Sequence, residues 1–264
     1  MSELRLADGG RLHYSLTGMG PPLLLVPGLG GIAEFWDPVV PALAERFTVI
    51  LHDHRGCGRS SPERIDFSIP QMTDDVLALL DHLELDRVHL VGHSTGGAIG
   101  QTIAIEHEDR LNRLVLSGSW AAPDPWLEAL FATRAAILRS GGPALYLKSS
   151  ALSLHPPSWI RDHPKLAEIS EEAARMRLPD PEIVLARIAA ILRHDRLEDL
   201  HRITAPTLVV ASRDDMVVPA YLSVALAGAI GDAETLVLPD GGHFFPVTRA
   251  ERFAAIVTEF LERR

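Results

Sequence analysis

Short apolar runs recur along most of the chain, and each ends in glycine, proline or a polar residue. Apolar residues at consecutive positions are typical of strands buried on both faces of a parallel sheet, because successive side chains point to opposite faces. Runs of this kind lie at residues 21–28, 47–56, 88–92, 111–119, 206–212 and 234–239. Residues 11–16 alternate between polar and apolar positions instead, which predicts an edge strand.

Amphipathic stretches fill the intervals between these runs. Residues 69–85 place Met72, Val76 and Leu79 on one helical face, and residues 94–108 and 248–264 show similar patterns. Strand and helix therefore alternate along the chain. This order predicts an α/β fold, with a mostly parallel central sheet flanked by helices.

One long segment, residues 121–202, breaks this alternation. It contains no strand-like run, and Gly and Pro divide it into four helical patterns. These lie at residues 126–140, 141–153, 164–176 and 181–194. We interpret the segment as a helical cap inserted into a core formed by residues 1–120 and 203–264. The alternative is a helical layer that only completes the core.

Composition narrows the class of protein further. The 264 residues are 47% hydrophobic and 23% charged, as in an ordinary globular chain, and the formal net charge is −10. An acidic surface disfavours nucleic acid as a partner. Cys57 is the single cysteine, the first residues do not resemble a signal peptide, and no apolar run is long enough to span a membrane. We expect a cytoplasmic monomer or homodimer that binds a small molecule and has no membrane partner.

The motif Gly-His-Ser-Thr-Gly at residues 92–96 follows a predicted buried strand and opens a predicted helix. A G-x-S-x-G motif in this context is typical of a nucleophilic serine held on a tight strand-to-helix turn. The flanking glycines remove Cβ atoms that would clash in such a turn. We therefore predict Ser94 as the nucleophile, against the alternative of a glycine-rich turn with an incidental serine.

A serine nucleophile needs a base, and the base needs an orienting acid. His243 follows the last predicted strand, and the adjacent Asp214 and Asp215 follow the one before it. The carboxyl ends of parallel strands share one edge of the sheet, where such sheets bind ligands. We predict His243 as the base and prefer Asp215 as the acid. Asp214 is the alternative, and Asp124 is a more remote candidate.

Acyl transfer also needs donors for the oxyanion. We predict the backbone amides of Leu29, in the glycine-rich loop at residues 26–31, and of Thr95. The loop lacks the glycine spacing of a nucleotide site. His52 and His54 share a strand face but have no obvious third ligand, so we predict neither a metal nor a cofactor. We expect Asp53 and Arg55 to brace their loop by an ion pair.

The remaining predictions concern the pocket. Aromatic side chains of the cap and residues beside the nucleophile are candidates to contact substrate, although helical aromatics more often pack in a core. The predicted pocket residues are Gly28, His93, Trp120, Phe131, Tyr146, Trp159 and Phe244.

These motifs, in this order and with "DHRGCGRSS" at residues 53–61, resemble the α/β-hydrolase superfamily along the whole chain. Within it, "LVPGLGG", "SIPQMTDDV", "HPPSW" and "GGHFFPVT" are similar to the family of pyrimidine-utilisation protein D, identified as aminoacrylate hydrolases. "GHSTGGAIGQ" is similar to 3-oxoadipate enol-lactonases. The chain departs from the superfamily at Pro27, where many members have a histidine before the oxyanion glycine.

The resemblance implies hydrolysis of a small ester, lactone, amide or carbamate through a Ser-His-Asp triad and an acyl-enzyme, without a cofactor. Two alternatives remain open at this point. One is a non-hydrolytic enzyme on the same scaffold, such as a lyase, a perhydrolase or a cofactor-free oxygenase. The other is a small-ligand receptor with little turnover.

Overall fold

The computed structural model describes residues 2–62, 65–166 and 168–263. Eight strands form one sheet, in the order β1-β2-β4-β3-β5-β6-β7-β8. Strands β1 and β2 pair antiparallel, as do β2 and β4, and all other neighbours are parallel. The strands are β1 (Ser2–Arg5), β2 (Arg11–Thr17), β3 (Pro22–Val26), β4 (Thr48–His52), β5 (Val88–His93), β6 (Leu111–Ser117), β7 (Thr207–Ser212) and β8 (Glu234–Leu238).

Ten α-helices accompany the sheet in the described part of the chain. They are α1 (Val40–Ala44), α2 (Ile69–His82), α3 (Thr95–Glu106), α4 (Pro125–Leu154), α5 (Pro157–Asp162), α6 (Glu171–Arg177), α7 (Pro181–Arg193), α8 (Ala220–Ala229), α9 (Phe245–Thr248) and α10 (Ala250–Leu261). The prediction of a mostly parallel sheet flanked by helices is confirmed. No helix in these described residues is long and apolar enough to cross a membrane.

The continuous apolar runs are explained by two cores, one on each face of the sheet. In β3, Leu24 and Val26 belong to one buried cluster, whereas Leu23 and Leu25 belong to the other. Both faces of this central strand are therefore buried, which favours apolar residues at every position.

The edge of the sheet differs from the prediction. Residues 11–16 lie in β2, which is not an edge strand, because β1 pairs with it and places Leu4 opposite Leu12. The short β1 sequence Ser-Glu-Leu-Arg carries a single apolar residue. It therefore has too little alternation to be recognised as a strand.

Helices α4 to α7 lie between β6 and β7, within the segment 121–202, which we call the helical insertion. The first two predicted helices run on as α4, with a kink at Gly142, whose φ is 72°, before Pro143. The prediction of one helix over residues 164–176 is wrong. A short 3-10 turn spans Pro164–Leu166 and α6 begins at Glu171, with Ser170 as its N-cap; Ala167 lies outside the described residues. Helix α5 was not predicted.

Candidate active site

Ser94 stands on a sharp turn between β5, which ends at His93, and α3, which begins at Thr95. Its φ of 53° and ψ of −115° are rarely adopted by a residue with a side chain, and such strain costs about 1–3 kcal/mol. The chain holds this conformation through the Ser94 amide, which donates to the Ser117 carbonyl at 2.8 Å. The turn directs Ser94 towards the cavity beside it.

The two glycines of the motif are required by backbone packing. A Cβ atom on Gly92 would lie 2.2 Å from the Gly96 carbonyl oxygen, and one on Gly96 would lie 2.1 Å from the Val26 carbonyl oxygen. Real Cβ atoms do not come so close to backbone oxygens. Glycine at both positions therefore lets β5, α3 and the end of β3 meet around Ser94.

His243 and Asp215 form a buried pair at the same edge of the sheet. His243 Nδ1 lies 2.7 Å from Asp215 Oδ2. Asp215 Oδ1 accepts hydrogen bonds from the Val217 and Val218 amides, at 2.7 and 2.8 Å, and these fix the carboxylate. Of the two adjacent acids, the structure thus brings Asp215 to His243.

Asp214 has a separate role in the same loops. Its Oδ1 accepts from the Ser212 hydroxyl at 2.7 Å and from the Gly242 amide at 2.8 Å. Asp214 therefore ties the loop after β7 to the loop that carries His243. The Phe244 amide in that second loop donates to the Leu154 carbonyl at the end of α4, at 2.9 Å. The loop is thus held from the sheet and from the helical insertion.

Gly118 and His93 pack behind the pair. A Cβ on Gly118, whose φ is 53°, would lie 3.4 Å from His243 Cε1 and 3.5 Å from Asp215 Oδ2. The His93 and His243 ring centroids are 4.7 Å apart, and His93 Nδ1 lies 3.1 Å from Ser117 Oγ. Burial, together with the nearby His243, holds the pKa of His93 well below its ordinary value. Burial therefore favours the neutral form of the His93 ring. Gly118 was not predicted, although it follows a strand directly.

The loop after β3 approaches Ser94 closely. A Cβ on Gly28 would lie 3.3 Å from Ser94 Cβ. In the described part of the chain, the backbone amides of Leu29 and Thr95 donate no hydrogen bond to another protein group. Leu29 lines the cavity together with Ser94, and Thr95 directly follows Ser94 in the chain.

Arg187, in α7 of the helical insertion, supports this loop and was not predicted. Its side chain is fully buried. Its Nε donates to the Leu29 carbonyl at 3.1 Å, and its Nη2 donates to the Gly28 carbonyl at 3.3 Å. Pro27, where many members of the superfamily have a histidine, also has a contact in this loop. Its carbonyl oxygen lies 3.2 Å from His54 Nε2.

The predicted ion pair between Asp53 and Arg55 is wrong. Arg55 pairs with Asp75 of α2 and with Asp8. Asp53 accepts from the Ala33 amide at 2.7 Å and from the Arg59 amide at 2.9 Å. Both residues follow the end of β4, but their side chains contact different partners. Arg59 is six residues from Asp53, but Asp8, Ala33 and Asp75 lie 20 or more residues from their partners and could not be predicted from local spacing.

His52 and His54 lie next to each other, with ring centroids 5.0 Å apart. Burial lowers the pKa of His52 to about 4 and that of His54 well below its ordinary value, and the nearby Arg187 adds to both shifts. Across residues 2–62, 65–166 and 168–263, no three His, Cys, Asp or Glu side chains cluster closely enough to hold a metal ion.

A cavity of about 450 Å³ lies between the carboxyl edge of the sheet and the helical insertion. Ser94 and His243 line one side of it, and Phe131, Tyr146 and Ala151 of α4 line another. Most of the wall is apolar. Five of the predicted pocket residues lie in this wall, namely Gly28, His93, Phe131, Tyr146 and Phe244.

Trp120 and Trp159 lie elsewhere, so their prediction as pocket residues is wrong. Trp120 is fully buried in the core, with its ring 5.9 Å from that of His194. Trp159 stacks on His163 within the insertion, with ring centroids 4.2 Å apart. Each of these rings packs against another side chain of the protein, as aromatic residues commonly do.

Comparisons with known proteins agree with this architecture. A family profile described as "alpha/beta hydrolase fold" matches residues 21–140, and one described as "Serine hydrolase (FSH1)" matches residues 88–254. The chain belongs to the α/β-hydrolase superfamily and is a hydrolase, as the motif resemblance predicted.

More specific similarities run along nearly the whole chain. The chain is 42% identical to a protein of Caulobacter sp. (strain K31), over 90% of each chain, and 41% identical to one of Caulobacter vibrioides, over 99% of each. Both relatives bear the name "Putative carbamate hydrolase RutD".

Solved structures of the same fold include two bacterial hydrolases. A hydrolase from Pseudomonas aeruginosa PA01 has a TM-score of 0.88 at 30% identity, over 99% of this chain and 98% of that one. The enol-lactonase from Burkholderia xenovorans LB400 has a TM-score of 0.89 at 27% identity, over 99% and 100%.

Proposed function

We propose that this protein is a serine hydrolase that cleaves a small ester, lactone, amide or carbamate. The observation that carries the proposal is the 2.7 Å contact between His243 Nδ1 and Asp215 Oδ2, beside a cavity that Ser94 also lines. A base held in one orientation by a buried acid, next to a serine on a strained turn, is the arrangement that activates a hydroxyl nucleophile.

In this proposal the Ser94 hydroxyl attacks the substrate carbonyl, and its proton passes to His243 Nε2. Asp215 keeps the other ring nitrogen, Nδ1, protonated and stabilises the imidazolium. The Leu29 and Thr95 amides donate to the oxyanion of the tetrahedral intermediate. His243 then gives its proton to the leaving group, and an acyl-enzyme on Ser94 remains. Water, deprotonated by His243, attacks the carbonyl of that ester. The bond between the acyl group and Ser94 Oγ then breaks, His243 returns the proton to Oγ, and the acid is released.

The size of the cavity and the names of the relatives narrow the substrate. A cavity of about 450 Å³ accommodates a small molecule rather than a polymer. Relatives named as carbamate hydrolases favour carbamates among the four bond types, and the enol-lactonase neighbour keeps lactones among the candidates. We propose no metal or cofactor in the reaction, because the three side chains and two amides supply every group that it needs.

Labelling and turnover test this proposal together. With p-nitrophenyl acetate, we expect an initial burst of p-nitrophenol equal to the enzyme concentration if deacylation is slow. A fluorophosphonate probe should label Ser94, as identified by mass spectrometry of the modified peptide. Ser94→Ala should abolish the labelling and lower kcat by about 10³-fold or more.

The exposed Ser158 of α5 provides a matched control, and Ser158→Ala should behave like the parent protein. The proposal fails if the parent protein releases no p-nitrophenol and its Ser94 stays unlabelled. It also fails if Ser94→Ala retains the parent rate.

A further inference from the structure

Arg134 of α4 is a charged side chain set into an otherwise mainly apolar part of the cavity wall. It is only 8% exposed, and it lines the same cavity as Ser94 and His243. Its Nη2 donates to the Tyr146 hydroxyl at 3.0 Å and to the Ser150 hydroxyl at 3.1 Å. Its Nε is buried and has no hydrogen-bond partner in the described structure.

No carboxylate among the described residues forms an ion pair with Arg134. The guanidinium lies near the rings of Phe131 and Tyr146, 5.4 and 5.3 Å from their centroids. These rings and two neutral hydroxyls compensate a buried positive charge only in part. The other charged side chains of the wall, Glu34 and Arg177, are exposed. The positive charge of Arg134 therefore has no carboxylate partner in the described structure, and its Nε–H is free to donate to a ligand.

We propose that Arg134, with the hydroxyls of Tyr146 and Ser150, binds a carboxylate of the substrate. The inference rests on the proposed function, since it assigns the substrate class of the same cavity. A guanidinium matches a carboxylate through two parallel N–H donors, and a desolvated pair of this kind is stronger than a neutral hydrogen bond. One buried cation matches one carboxylate charge, which favours a carboxylate over a phosphate dianion.

The position of this group also restricts the shape of the substrate. Ser94 lies at the edge of the sheet, whereas Arg134 lies in the helical insertion, across the shared cavity. The substrate would then carry its carboxylate at one end and the scissile carbonyl at the other. A purely structural role is the competing explanation, since Arg134 reaches across the Gly142 kink to Tyr146 and Ser150.

A pair of matched esters separates the two explanations. The p-nitrophenyl monoesters of succinate, glutarate and adipate carry a free carboxylate, and the corresponding primary amides have the same shape without charge. For the best chain length, we expect kcat/KM to favour the carboxylate over its amide by about 10- to 100-fold, mainly through KM. Arg134→Met should reduce this ratio to about 1.

The control is Arg139→Met, on the exposed face of the same helix, which should keep the parent ratio. Arg134→Lys keeps the charge and should retain part of the preference, which guards against a folding defect in the Met variant. A purely structural Arg134 would change both substrates equally and leave the ratio unaltered. An unchanged ratio in Arg134→Met, or a parent ratio near 1 for every chain length, overturns the inference.

Binding without turnover separates this inference from the proposed function. In calorimetric titrations of the parent protein, we expect the monoamide of the matching dicarboxylic acid, which carries one carboxylate, to bind at least tenfold more tightly than the uncharged diamide. Arg134→Met should lose this difference. If the amide esters are hydrolysed and the carboxylate is not preferred, the proposed function stands and this inference fails. If no ester is hydrolysed but the binding difference holds, the carboxylate site stands and the proposed function fails.

Discussion

The carboxyl edge of the sheet and the helical insertion form the two sides of one cavity, yet they are built in different ways. The edge is held by backbone groups in close contact, with glycines at positions 92 and 96, where no Cβ atom fits, and at position 118, where φ is 53°. The insertion presents apolar and aromatic side chains on kinked and short helices. Backbone contacts fix the reacting groups, whereas side chains shape the space for substrate. Substitutions should therefore be far less tolerated at the edge than in the insertion.

The largest difference in stability should come from replacing one glycine by alanine at the sheet edge and one in the helical insertion. Gly96→Ala would place a Cβ 2.1 Å from the Val26 carbonyl oxygen, and neither backbone can yield easily. We expect the free energy of unfolding to fall by about 3 kcal/mol, and esterase activity to be lost with the displaced turn. Urea denaturation of the purified variant measures the first effect.

Gly141→Ala, in α4, is the matched substitution in the insertion. Its nearest contact is the far end of the Leu145 side chain, at 2.4 Å, and Leu145 is half exposed and free to move. Alanine is also the better helix former, so stability should change by less than about 1 kcal/mol. Equal losses in the two variants would contradict the comparison between edge and insertion.

The next largest effect is a loss of stability at low pH, caused by two buried histidines, one in the sheet and one in the helical insertion. His52 ends β4 in the sheet, and His194 follows α7 in the insertion. Burial lowers the pKa of each to about 4 from an ordinary value of 6.5. Between these values the unfolded chain binds more protons than the folded protein, so stability is lost as the pH falls from 6.5 towards 4.

Each of these histidines should cost about 2 kcal/mol of stability at pH 5 relative to pH 7.5. His194→Gln should remove that part of the pH dependence, and the glutamine amide still has Gln101 as a partner, which His194 Nε2 approaches at 3.3 Å. Urea unfolding of parent and variant at both pH values measures the difference. The explanation fails if both proteins lose the same free energy between pH 7.5 and pH 5.

The smallest effect should come from the contact that joins the two sides. Arg187→Lys keeps the positive charge but removes the guanidinium group, whose two nitrogens donate to the Gly28 and Leu29 carbonyls. We expect kcat for p-nitrophenyl acetate to fall about tenfold with little change in KM, because the Leu29 amide shifts relative to the oxyanion.

Arg193→Lys provides the control for this contact. Arg193 ends the same helix and donates to the Phe67 carbonyl at 2.9 Å, away from the loop after β3. Its substitution should leave kcat unchanged. A fall in kcat that is equal in both variants would assign the effect to α7 as a whole rather than to the loop.

The sequence allowed prediction of those features that depend on local pattern. The mostly parallel sheet followed from apolar runs, and the turn at Ser94 followed from the glycines on either side of it. Asp215 and His243 could be found because parallel strands bring their carboxyl ends to one edge, although they lie 28 residues apart. The sequence also limited the acid to the adjacent Asp214 and Asp215 and favoured Asp215.

Features that depend on long-range packing could not be predicted. Arg187 contacts a loop 158 residues earlier. Its position on the apolar face of α7, beside Val184 and Ile191, indicates that it is buried, but this pattern does not indicate which carbonyls it reaches. Trp120 and Phe131 have the same aromatic character in sequence, yet one packs in the core and the other lines the cavity. Helix α8 was missed because its residues are apolar on most sides and show no period.

The contacts of Arg187 with the loop after β3 and of the Phe244 amide with the end of α4 limit how freely the insertion could be exchanged. A chimera that receives the helices of another hydrolase would have to supply an arginine for the Gly28 and Leu29 carbonyls and an acceptor for Phe244. Grafts that preserve these two junctions should inherit a working nucleophile along with a new specificity. Grafts that ignore them should bind the donor's substrate and turn it over slowly.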